Sequence, residues 1–91
     1  MVDYQASADN GKITVGATST SVRGGNGNRK FVILVNDSDE TIYISLSDTA
    51  VMNEGVRLNA NGGTLIIGEE YNGPVSAICA SGSKNLTFSA G

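Results

Sequence analysis

Residues 29–47, RKFVILVNDSDETIYISLS, hold the densest apolar stretch of the chain, cut in half by the acidic bend Asp37-Ser38-Asp39-Glu40. Two apolar runs around such a bend are either the flanks of a site or the arms of a turn. Taking Asp37 to Glu40 as a hairpin loop, one of the common lengths, sets Val35 opposite Ile42, Ile33 opposite Ile44 and Phe31 opposite Leu46. These side chains all fall on one face, because side chains alternate along a strand and directly opposed residues share a face. A slip by one residue would set the row against Thr41, Tyr43 and Ser45, so the pattern predicts a hairpin of specified register.

The same arithmetic applies twice more. With Ser81-Gly82-Ser83-Lys84 as a loop, Cys79 faces Leu86, Ala77 faces Phe88 and Val75 faces Ala90. In GVRLNANGGTLIIG, residues 55–68, Leu58 faces Leu65 and Val56 faces Ile67 across an Asn/Gly-rich loop. Asn72-Gly73-Pro74 marks a turn before Val75. No helical periodicity of useful length is present. Short strands at close spacing, joined by Gly/Asn/Ser turns, predict an all-β fold. We expect a single small β-sandwich, Greek-key or jelly-roll-like, of about seven strands.

The N-terminal part reads differently. Residues 1–11 are small and polar, residues 12–23 offer one short strand around Ile13 and Val15, and Gly24-Gly25-Asn26-Gly27-Asn28 is a flexible break. The expected organisation is therefore a loose N-terminal arm over residues 1–28 and a sandwich domain over residues 29–91. The second face of the first predicted hairpin carries Val32, Leu34 and Tyr43 beside Lys30, Ser45 and Ser47. A solvated face would alternate more cleanly to polar, so this face predicts cover by the arm or by another subunit. Ile13, Val15, Val32, Leu34 and Tyr43 are the candidate interface residues.

Composition excludes several functions. Ninety-one residues allow one domain with a modest core. The chain is 40% hydrophobic and 16% charged with twelve glycines, too apolar for disorder and too rich in small polar residues for long helices. The net charge of −3, with scattered basic residues, argues against a nucleic-acid partner. No apolar run approaches membrane-spanning length, and Met1-Val2-Asp3-Tyr4 opens no signal peptide, so neither a membrane partner nor export by that route is expected.

Chemistry fares no better. The chain has one cysteine and no histidine, which removes an internal disulfide, the commonest general base and the commonest metal ligand. Asp37, Asp39 and Glu40 lack the longer loop, central Gly and distant Glu of an EF-hand. GGNGN lacks the Gly-Lys-Ser/Thr and following helix of a phosphate cradle. Cys79 lies on an inward row with no base to activate it, and Glu69-Glu70, adjacent on the chain, would point to opposite faces of a strand. No catalytic, cofactor or metal site is expected, and the chain is read as no enzyme.

From Arg29 onward the order of features resembles that of small β-rich virion proteins of tailed bacteriophages, the capsid decoration (cement) proteins and related head or tail accessory proteins. The resembling segments are Arg29 to Asn36, Thr41 to Ser45, Gly55 to Leu58, Gly63 to Leu65, Tyr71 to Ile78 and Ala80 to Gly82. The resemblance implies a structural subunit on the exterior of a phage head, bound to the major capsid protein lattice, often as a homotrimer. The chain stops at Gly91 directly after its last strand, which under this resemblance favours cement over adhesin. The alternative is a carbohydrate- or host-surface-binding sandwich module of a tail or head fibre. Such a module needs aromatic platforms, and the chain has three tyrosines, two phenylalanines and no tryptophan.

Overall fold

The computed structural model describes residues 8–91. Its strands are β1 (Asp9–Val15), β2 (Thr20–Arg23), β3 (Val32–Asn36), β4 (Ile42–Ser45), β5 (Val56–Leu58), β6 (Thr64–Ile67), β7 (Val75–Cys79) and β8 (Lys84–Ala90). The acidic bend is a corner and not a hairpin loop. β3 pairs with β6 and β8, whereas β4 pairs with β5 and β7 in the other sheet. The chain crosses between sheets at the bend, and β3 and β4 face each other through their side chains.

The two remaining predicted hairpins are corners of the same kind. β5 and β6 lie in different sheets, and so do β7 and β8. Among the described residues, β4 and β5 are the only consecutive strands that pair with each other. The result is two four-stranded antiparallel sheets, ordered β1-β8-β3-β6 and β2-β7-β4-β5. This interleaving of two Greek keys is the eight-stranded jelly roll. The expected all-β sandwich is the observed fold.

Inward rows follow from alternation. Val75, Ala77 and Cys79 of β7 are buried, as are Leu86 and Ala90 of β8, with Phe88 packed against them. Those rows match the sequence expectation, although they meet across the core and not side by side. Ile42 and Ile44 are also inward, as expected, but Leu46 is exposed. In β3 the predicted row is inverted. Val32 and Leu34 are fully buried, while Phe31, Ile33 and Val35 are half-buried on the outer side. The cause is the neighbouring strand. Val32, Leu34 and Asn36 lie directly opposite Ala90, Phe88 and Leu86, so they must share the inward face of β8. The alternation of β8, with Asn85, Thr87 and Ser89 on its other face, leaves no choice.

Asn36 ends the inward row of β3 as a fully buried polar residue. Its Nδ2 donates to Glu40 O at 2.7 Å and Leu58 O at 2.9 Å, and its Oδ1 accepts from Ser38 Oγ at 2.6 Å. A buried amide is tolerable only when bonded in this way. Here it ties the corner to the opposite sheet.

Residues 9–23 are part of the sandwich. β1 pairs with β8 along its whole length and β2 pairs with β7, so the expected boundary at residue 28 falls inside the fold. Of the anticipated arm, residues 1–7 lie outside the described residues. Val15 and Val22 are core residues, and Arg23 bridges the sheets through Asp9 at 2.9 Å while its guanidinium lies 4.9 Å from the centre of the Phe88 ring. The GGNGN segment is likewise fastened. Arg29, only 5% exposed, donates from Nη1 to Gly24 O and from Nη2 to Tyr71 O and Gly73 O.

Candidate binding surfaces

The acidic bend was one candidate site, and the geometry disperses it. Asp39 accepts from Lys84 Nζ at 2.7 Å, Glu40 accepts from the amide and hydroxyl of Ser81 at 2.8 and 2.6 Å, and Asp37 accepts from Asn85 Nδ2 at 3.3 Å. Each carboxylate is spent on fastening the corner before β4 to the corner before β8. The Lys84 hydrogen bond and charge hold Asp39 below the usual carboxylate range, and the Ser81 hydroxyl and amide do the same for Glu40.

Cys79 is fully buried between these corners, its thiol donating to Ser81 O at 2.6 Å. Burial pushes the thiol up, with the nearby Glu40 carboxylate adding to the effect. A thiol kept protonated and covered is a packing residue and not a nucleophile. Glu69 and Glu70 serve a turn, Glu69 facing Lys30 at 3.4 Å and Glu70 accepting from Gly68 N at 3.2 Å. Tyr71 Oη donates to Pro74 O at 2.6 Å, and its side chain packs on the core.

What remains are the outer faces of the two sheets, and they differ. On the β2-β7-β4-β5 sheet the chain roofs itself. The segment after β4 folds back, with Ser47 O accepting from Ser76 Oγ at 3.0 Å and Ala50 N donating to Ser19 Oγ at 2.8 Å. Even the outward residues of β7, Ser76 and Ile78, are buried. Tyr43 sits beside Ile78 on this face and is half-buried.

The β1-β8-β3-β6 sheet has no such roof among the described residues. Its outer face is polar toward β1, with Asn10, Lys12, Thr14, Asn85, Thr87 and Ser89. Toward β6 it turns apolar, with Ile33 and Val35 half-buried and Ile66 68% exposed. Phe31 extends the row, since its N–H and C=O pair with Gly91 one step beyond the end of β3.

The predicted interface residues are redistributed accordingly. Val15, Val32 and Leu34 have no exposed surface and are corrected to core residues, because β8 turns them inward. Ile13 packs partly against that core. Tyr43 alone of the set lies on an outer face, the roofed one. The residues that sequence reasoning missed are Phe31, Ile33, Val35 and Ile66. Ile66 was open to detection, because pairing Leu65 and Ile67 inward leaves it outward by alternation.

No protein-family model, curated protein or solved structure matches the chain. The fold and these surfaces are what define it: a small jelly roll with one roofed face and one open face.

Proposed function

We propose that this chain is a structural virion protein, a decoration subunit that binds the outer surface of a major capsid protein lattice and stabilises the head. The observation that carries the reading is the asymmetry of the two sheet faces. One face is roofed by the chain's own loop, while the other leaves Phe31, Ile33, Val35 and Ile66 as an apolar strip bordered by polar residues. An apolar strip rimmed by polar groups is the ordinary signature of a protein contact surface. The jelly roll is a common architecture of viral capsid domains, and also of lectins and cupins, so the fold supports the reading by analogy. The sequence expectation that another subunit covers Val32, Leu34 and Tyr43 loses its support, because Val32 and Leu34 are inside and Tyr43 lies on the roofed face. The homotrimer then rests on the resemblance alone.

Cosedimentation of the purified protein with shells of the major capsid protein from the same genome tests the proposal. Saturable binding and a raised temperature of shell disruption are expected, and Ile33→Asp combined with Ile66→Asp should abolish both. Failure to bind shells, together with specific signals on a glycan array, would transfer the function to a carbohydrate-binding module.

A further inference from the structure

A sandwich has edges as well as faces, and β1, β2, β5 and β6 form the edges here. An open edge presents unpaired N–H and C=O groups and is guarded in natural proteins by charges, irregularities or brevity. β1 exposes Asp9 and Lys12. β2 shifts register against β7 between Ser21 and Arg23. β5 is three residues long with exposed Arg57 at its centre. β6, Thr64-Leu65-Ile66-Ile67, is short and follows an irregular step in which Gly62 and Gly63 both bond to Asn36. Among the described residues, however, it has no charge and no register shift along its own length, and from Asn59 to Gly68 the chain carries no charged side chain.

The phase of the ladder says which groups are free. Asn36 N–H donates to Gly63 O at 2.8 Å, the first rung beyond the β3 and β6 pairing. Antiparallel pairs alternate between bonded and non-bonded. Leu65 and Ile67 therefore spend their main-chain groups on β3, and Thr64 and Ile66 turn theirs to the open edge.

We propose that two copies of this chain pair antiparallel through β6 about a two-fold axis, joining their four-stranded sheets into one continuous sheet of eight strands. Keeping both cores on one side requires opposed residues of like parity, because opposed residues share a face. Centring the axis on Leu65 sets Thr64 against Ile66 of the second copy, and Ile66 against its Thr64. Each such pair exchanges both main-chain bonds, so every free group of Thr64 and Ile66 is used. The half-buried Leu65 covers its counterpart. Centring on Ile66 instead would oppose Thr64 to Gly68, whose N–H is already taken by Glu70. A second copy also suits the charge. Copies of net charge −3 repel, and β6 is the seam that brings no like charges face to face. The inference stands on the edge geometry and is independent of the proposed role on a capsid.

Sedimentation of the full chain over a wide concentration range reads the assembly directly. Wild type should sediment as a dimer at high concentration. Of the main-chain hydrogen-bonding groups, Ile66→Pro removes only the N–H aimed at the open edge, a placement that edge strands tolerate. Losing that bond in both copies should weaken dimerisation by about 30-fold or more. Ile66→Lys, a change at an exposed position, should act in the same direction and serves if the proline variant does not fold. The register has its own readout. A mixture of Thr64→Cys and Ile66→Cys chains should form a disulfide-linked heterodimer, since opposed Cα atoms about 5.5 Å apart suit the bond, while neither variant alone cross-links efficiently. A monomer at all concentrations, or an oligomer that persists unchanged in a folded Ile66 variant, would overturn the proposal.

Discussion

The inverted row of β3 gives the most direct experiment on the fold. Leu34 is fully buried, directly opposite Phe88 on one side and Leu65 on the other. Leu34→Ala removes three buried carbons, about 2.4 kcal/mol at ~0.8 kcal/mol each. A residual cavity of about 50 Å³ would add roughly 1.2 kcal/mol. The expected loss is about 3.5 kcal/mol, a large share of the ~5–15 kcal/mol that holds a small domain together. Ile33, one residue earlier, is half-buried on the outer face, so Ile33→Ala should cost only about 1 kcal/mol. Urea unfolding followed by circular dichroism measures both, with the slopes checked for constancy. The hairpin expected from the sequence ranks the two substitutions the other way. Equal losses, or a larger loss at Ile33, would refute the corner and the parity that follows from it.

Arg29→Lys should destabilise the protein by about 2–4 kcal/mol, because an ammonium cannot reproduce the fork that reaches Gly24, Tyr71 and Gly73; the same urea assay reports it. Cys79 should resist a thiol reagent in the folded protein and react quickly in denaturant, and rapid native labelling would contradict its burial. Asp39 and Glu40 lie below their ordinary values of 3.8 and 4.5, so their contribution is complete above those values and is lost as pH falls through the folded ones. Lys84, raised above 10.5 chiefly by the Asp39 hydrogen bond, contributes below that value and ceases to do so as pH rises through its folded one. Stability against pH should therefore fall at both ends, and Asp39→Asn should flatten both limbs.

Alternation along the strands was legible in the sequence for β4, β5, β6, β7 and β8. Val75, Ala77 and Cys79 face the same core as Leu86 and Ala90, as their spacing predicts. What spacing does not contain is whether two such rows lie side by side or face each other. An even loop between apolar rows satisfies a hairpin and a corner equally, since both place the rows against apolar neighbours. β3 was harder because Phe31, Ile33 and Val35 compete with Val32 and Leu34, and the decision rests with β8, half a chain away. The candidate surface was hidden for the same reason. The residues that make it are those the sequence assigns most naturally to a core. β1 and β2 were underestimated because most of their residues are small or polar and take their order from pairing with β8 and β7, with Val15 and Val22 as their only buried anchors.

The placement of β8 between β1 and β3 also governs when the fold can form. Neither β1 nor β3 has its central partner until residues 84–90 exist, so one layer of the sandwich lacks its middle until β8 has been made. Among the described residues, β4 and β5 are the only consecutive strands that can zip together, and even they are separated by a ten-residue connection, residues 46–55. Chains whose contacts are this distant in sequence fold slowly, because loop closure must come before the contacts that reward it. A nascent chain stalled short of residue 84 should therefore be protease-sensitive from end to end, and protection should appear in one step with the last strand.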